Sequence, residues 1–445
     1  MKATLLLIFA ILSNSVFAQS WNLVGKKAFS AGEAFSQSIV LDGETPYVAY
    51  MDRANGDKVT VMKFNGTDWE PVGTVGFSAG KANSISMAIS GGTPYVAFCD
   101  EANGGKASVI KFTGTTWAYV GGAGFTTNRA DVIDMAMDGN TPCVAFSDAK
   151  YNDKITVMKL DGGSWTAIGQ AGFTADYTNV ISLAIEGGTP FVAFREYSGF
   201  SLKSSVMKFN GSSWQLVGNA GFSTGTHDGN QCLAVHSGIP HVASWGNNGK
   251  ATVYKPSGAS WVALGNAEFS GGQASSLSIK FSKSGTPYVV FADGANSKKA
   301  TVVKLEGANW VPVGIAASLG EATDISIAIS DAGIPFIAYR DAASMRRTTV
   351  MKFSDITNTN SIADSHDFRV FPNPGNGVFS IESSGLQSSE TDIEIFDQLG
   401  QLILSRKSGF TNKIEIDLSG KANGVYILKL KNNNGYYSKS IVISR

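Results

Sequence analysis

Cysteine, histidine and net charge are what this chain has little of. Three cysteines in 445 residues, Cys99, Cys143 and Cys232, are too few and too scattered for a disulfide framework. They read as small buried apolar groups. With four histidines and no metal-type Cys/His spacing, neither a metal nor a cofactor is implied. Lys and Arg number 36, as do Asp and Glu. A formal charge of zero removes the electrostatic case for nucleic acid or an anionic membrane. Long apolar runs are also missing: past the N-terminus none approaches the ~18–20 residues of a membrane-spanning helix. No transmembrane segment is expected.

The first residues read as a secretory signal peptide over 1–18. Lys2 supplies a short positive end, and Leu5-Leu-Leu-Ile-Phe-Ala-Ile-Leu12 is an apolar core. Val16-Phe-Ala18 fits a small-residue cleavage site, with the cut before Gln19. No cysteine follows the cut, which argues against a lipoprotein.

What the chain has in plenty is repetition. Trp21, Trp69, Trp117, Trp165, Trp214, Trp261 and Trp310 are separated by 48, 48, 48, 49, 47 and 49 residues. Pro46, Pro94, Pro142, Pro190, Pro240, Pro287 and Pro335 keep the same time, each opening a run such as Pro94-Tyr-Val-Ala-Phe98. A period of roughly 40–50 residues with several short apolar runs signals a β-propeller. From Trp69 to Trp117, strands are expected over 85–89, 94–98, 107–112 and 117–120, joined by Gly/Asn turns into one antiparallel blade. The inner strands are apolar on both alternating faces, so neighbouring blades must cover both.

Trp310 completes a sixth unit, and 325–329, 335–339 and 348–353 supply three strands of a seventh that lacks its tryptophan strand. Trp21-Asn-Leu-Val24 is a tryptophan strand with no unit before it. Joining the two closes a ring and hides its edges. The expectation is all-β: a seven-bladed propeller over 19–354 and a small C-terminal β-sandwich.

Charges recur with the repeat. Lys58, Lys106, Lys154, Lys203, Lys250, Lys299 and Arg347 stand across the expected hairpins from Asp52, Asp100, Asp148, Glu196, Asp293 and Asp341. Such cross-strand pairs add ~0.2–1 kcal/mol each, so they read as hairpin staples; a ligand-capturing ring is the alternative. A second lysine (Lys63, Lys111, Lys159, Lys208, Lys255, Lys304) stands six before each tryptophan. Its stem is expected on apolar surface, its ammonium in water. Turns such as Asp161-Gly-Gly-Ser-Trp165 resemble the Asp-box turns of sialidase propellers, which implies turn geometry and not sialidase activity.

Function is sought where the repetition breaks. The fourth hairpin is lengthened, Arg195-Glu-Tyr-Ser-Gly-Phe-Ser201. The fifth is shortened, has Gly246 in place of the acid and presents Trp245, and the loop before that blade holds His227 and Asp228. Tyr177, Tyr197, Phe200, His227 and Trp245 are expected to cluster on the rim where blades four and five meet, offering faces to sugar rings. Arg195 and Asp228 would bond hydroxyls there. The blander alternative is loop aromatics that cover the rim. His236 and His241 fall in the same blade, but at ~3.3 Å per strand residue they lie at the end opposite His227. One metal site cannot hold all three.

After Phe353 the repeat stops, and a polar linker runs over 355–368. Strands then alternate with Gly/Asn turns: Val370-Phe-Pro-Asn-Pro-Gly-Asn-Gly-Val-Phe-Ser380, Asp397-Gln-Leu-Gly400, Gly424-Val-Tyr-Ile-Leu-Lys-Leu430 and a Lys-rich last hairpin. In order and kind, residues 369–445 closely resemble the type A C-terminal sorting domain of the type IX secretion system of Bacteroidetes. The resemblance implies that the type IX machinery is a partner, and that the chain is secreted or anchored at the outer cell surface.

No nucleophile–base pair, carboxylate dyad or metal spacing stands out. The reading is therefore a surface binding module for a glycan or protein ligand. An extracellular glycoside hydrolase or lyase on a propeller scaffold is the alternative, and a structural spacer the third.

Overall fold

The computed structural model describes residues 19–196, 202–225, 231–355, 368–383, 390–397, 401–409, 413–432 and 435–445. Among them there is no α-helix, and no helix long and apolar enough to cross a membrane. They form two compact units that part after Ser354.

The first unit holds seven four-stranded antiparallel sheets. In the second of them, Ala82–Ser90, Thr93–Asp100, Lys106–Phe112 and Trp117–Tyr119 lie side by side in sequence order. The seventh takes Ala322–Ile329, Pro335–Asp341 and Arg347–Asp355, and its fourth strand is Gln19–Leu23 from the other end of the chain. Val24 N donates to Val350 O at 3.0 Å, and Asn22 Nδ2 to Ser354 Oγ at 3.1 Å. First strands of successive sheets pack against one another in order, and that of the seventh returns to that of the first. The sheets are the blades of a β-propeller.

Alternation explains why the inner strands are apolar throughout. Val96 and Phe98 join a core shared with Tyr47 and Val61 of the first sheet. Ala97, between them, joins one shared with Ile133 and Phe146 of the third. The innermost strands are tied by hydroxyls: Met87 N donates to Ser38 Oγ at 3.2 Å, Met135 N to Ser86 Oγ at 3.1 Å, and Ile39 N to Ser326 Oγ at 3.3 Å. In the third sheet Asp134 takes the serine's place, its Oδ2 accepting from Leu183 N at 2.8 Å.

The tryptophans are the joints between sheets. Trp117 Nε1 donates to Val72 O at 2.7 Å, and its ring stacks on Phe77 at 4.2 Å. All seven make the equivalent bond, Trp21 reaching Val313 O at 2.7 Å. The ring lies so close that the residue after the accepting carbonyl is glycine. At Gly121, with φ +71°, a Cβ would lie 2.7 Å from Trp165.

The second unit has one sheet of Phe368–Phe371, Val378–Ser383 and Lys413–Asp417. Its other sheet is ordered Leu402–Gly409, Glu390–Phe396, Gly424–Asn432, Gly435–Ile443. Phe379 and Ile381 of the first and Ile393, Ile395, Leu428 and Ile441 of the second share one core.

Candidate functional site

Three of the seven residues expected on the rim between the fourth and fifth sheets are described. Tyr197, Phe200, His227 and Asp228 lie outside the described residues. Tyr177 is 45% exposed. Arg195 is buried, its Nη2 donating to Asn179 Oδ1 at 2.8 Å. Trp245 corrects the expectation of a presented anchor: it is 4% exposed and donates from Nε1 to Ala274 O of the sixth sheet at 2.9 Å. The shortened hairpin leaves it in register with Ala251, as Cys99 is with Ala107, so it takes the inward position that precedes the recurring acid.

The loss of that acid at Gly246 also has a structural account. Gly225 N donates to Trp245 O at 3.2 Å, and a Cβ on Gly246 would meet Glu268 Cγ at 2.5 Å. Glu268, from the following loop, caps this hairpin instead, accepting from Asn247 N at 3.0 Å and Asn248 Nδ2 at 2.9 Å.

The five recurring aspartates are not lysine staples; the Glu196 side chain lies outside the described residues. Asp100 is fully buried; it accepts from Ala102 N at 3.1 Å, Asn103 Nδ2 at 2.8 Å, Ser108 Oγ at 2.9 Å and Tyr119 Oη at 3.2 Å. Asp52, Asp148, Asp293 and Asp341 cap their 3-10 turns in the same way. Although Asp52 and Lys58 stand opposite in register, none of these acids forms an ion pair with the basic residue across its hairpin among the described residues. Asp341 pairs with Lys27, at 3.3 Å.

His236 and His241 sit at the other end of the fifth sheet. His236 stacks on Phe281 at 4.9 Å, and His241 Nδ1 lies 3.0 Å from Ile239 O. Burial pushes His241 down to about 4. Burial likewise pushes the Cys99 and Cys143 thiols up to about 12, away from thiolate chemistry.

A cavity of about 780 Å³ lies between the first and second sheets, at the end where the Gly91-Gly92 turn is found. On one wall Tyr47, Lys63 and Glu70 stand in one cross-strand row, Tyr47 opposite Lys63 and Lys63 opposite Glu70. Period-2 alternation turns all three to the same face. Pro94, Phe112 and Thr113 line the other wall. The Lys63 ammonium lies 5.8 Å from the centre of the Tyr47 ring, so the half-buried stem follows the apolar surface as expected for this repeated lysine. The row was not singled out in the sequence, because its members are 16 and 7 positions apart and only strand register brings them together.

Residues 369–444 match the family model described as a secretion system C-terminal sorting domain. The C-terminal unit is a type IX sorting domain. It marks the chain for export, to the outer cell surface or into the medium. No curated protein matches the chain. Among solved structures it is similar to a fungal alcohol oxidase in complex with copper, at 11% identity and a TM-score of 0.48, over 96% of this chain and 100% of that one. It is also similar to an ulvan lyase of a new polysaccharide lyase family, at 12% and 0.48, over 75% and 95%. The six-bladed lectin of Aleuria aurantia matches at 17% and 0.41, over 64% and 94%. At such identities and TM-scores, the reading of the cavity rests on this chain's own residues, as does the export route on its sorting domain.

Proposed function

We infer that this protein is a seven-bladed β-propeller, exported through the type IX system, that binds a glycan or protein ligand in the groove between its first two blades. The Tyr47–Lys63–Glu70 row carries the reading. It sets an aromatic ring, a cation and an acid side by side in a concave space of about 780 Å³, within the ~300–1,000 Å³ usual for ligand sites. Tyr47 is buried, at 7% exposure, and floors the groove; the two charged heads suit the hydroxyls of a sugar ring. Glu70 is the one carboxylate among the described residues lining the groove, whereas glycoside hydrolysis uses two. That favours binding over hydrolysis.

The rim between the fourth and fifth blades is a second place for a ligand, favoured by the exposure of Tyr177. A glycan array probed with the mature chain separates the two. With the groove as the site, Lys63→Ala weakens binding of the array hit by ~1–3 kcal/mol, Tyr47→Phe weakens it less, and Tyr177→Ala leaves it unchanged. The reverse pattern puts the site on the rim.

A further inference from the structure

We propose that Glu70 selects the ligand of the groove, making it a single site for a neutral polyhydroxylated ring, a hexopyranose, rather than for an acidic sugar. This rests on the groove being the binding site. In the second sheet the same register gives the row Tyr95–Lys111–Ala118, and in the sixth Tyr288–Lys304–Val311. The residue opposite the repeated lysine is Thr166 in the third sheet, Gln215 in the fourth and Val262 in the fifth. Aromatic ring and lysine thus recur, and the acid belongs to the first sheet alone among these six.

Glu70 is exposed. Its Oε2 accepts from Asn65 Nδ2 at 3.2 Å, and Oε1 accepts no hydrogen bond among the described residues. A carboxylate oxygen with open lone pairs accepts sugar hydroxyls in charge-assisted bonds. It repels a uronate or sulfate brought to the same place. Lys63 lies opposite it in register and balances its charge; Lys111 also borders the groove but stands opposite Tyr95, which packs toward the third sheet.

The test is isothermal titration of the mature chain with the methyl glycosides of mannose, galactose, glucose and glucuronic acid. One equivalent of a neutral glycoside binds, and Glu70→Ala weakens it by ~10-fold or more while Glu70→Gln, which keeps one acceptor oxygen, loses less. Ala118→Glu completes the same row in the second sheet and raises the stoichiometry from one to two. A wild-type preference for the glucuronide overturns the proposal. So does neutral binding that survives Glu70→Ala but is lost in Lys63→Ala; the groove then stands without Glu70 as its selector. If no glycoside binds, or none responds to either substitution, the groove reading itself fails.

Discussion

Asp134 holds a place that serine holds in the first, second and seventh sheets. Its Oδ1 accepts from Ser86 Oγ at 2.7 Å and Met135 N at 2.9 Å, and its Oδ2 from Leu183 N at 2.8 Å. Even so, desolvation among the crowded inner strands holds its carboxyl above the ordinary value. The sign follows from linkage. A carboxyl whose folded pKa is raised contributes stability below its unfolded pKa and loses it as pH rises through the folded one. At neutral pH the desolvated Asp134 carboxyl therefore costs stability relative to serine, which accepts the same inter-sheet bond elsewhere. Asp134→Ser should raise the thermal midpoint at pH 7, and the gain should shrink as pH falls through the raised folded pKa, its pH-dependent part gone by the unfolded value of ~3.9. A gain independent of pH, or a loss, contradicts this. At this scale the sequence shows which residues recur but not what they touch. The hairpin acids recur visibly, yet their partners are set by a 3-10 turn that places backbone N–H groups closer than the lysine.

The stacked Phe–Trp pair shows how much of an element's packing the period makes legible, and where it stops. Six tryptophans stack on a phenylalanine of the loop before them, Phe29 on Trp69 through Phe269 on Trp310, at 4.0–4.9 Å. At the seventh joint Ala317 makes the same backbone bond as those phenylalanines, N to Ala300 O at 2.7 Å, and the one ring against Trp21 among the described residues is the tilted Phe353, at 5.4 Å. The loop there is a residue shorter than that after Trp69. Ala317→Phe should restore the stack and stabilise the joint by ~0.5–1.5 kcal/mol, read as a rise in the urea midpoint. A lower midpoint would mean that neighbouring side chains already fill the space. Strand existence, the proline at the start of each second strand and the completing role of Trp21 were all legible from spacing. Trp245 was not: it keeps the in-strand position that Cys99 holds in the second sheet, and composition does not display that cross-strand register. The groove row needed register for the same reason.

On the scale of the molecule, the two ends of the repeating unit meet in one sheet, and the chain then continues to the sorting domain. The stacking order of the first strands closes on itself, so Gln19–Leu23 covers an edge that would otherwise leave two sheets open. All eight tryptophans lie between Trp21 and Trp310, so tryptophan fluorescence follows the propeller alone. The most direct test is the thermal unfolding of residues 19–445 against residues 27–445, followed by that fluorescence. The account predicts one cooperative transition for the longer chain, and for the shorter a midpoint lower by ~10 °C or more with a broadened transition. An unchanged midpoint would contradict the closed ring.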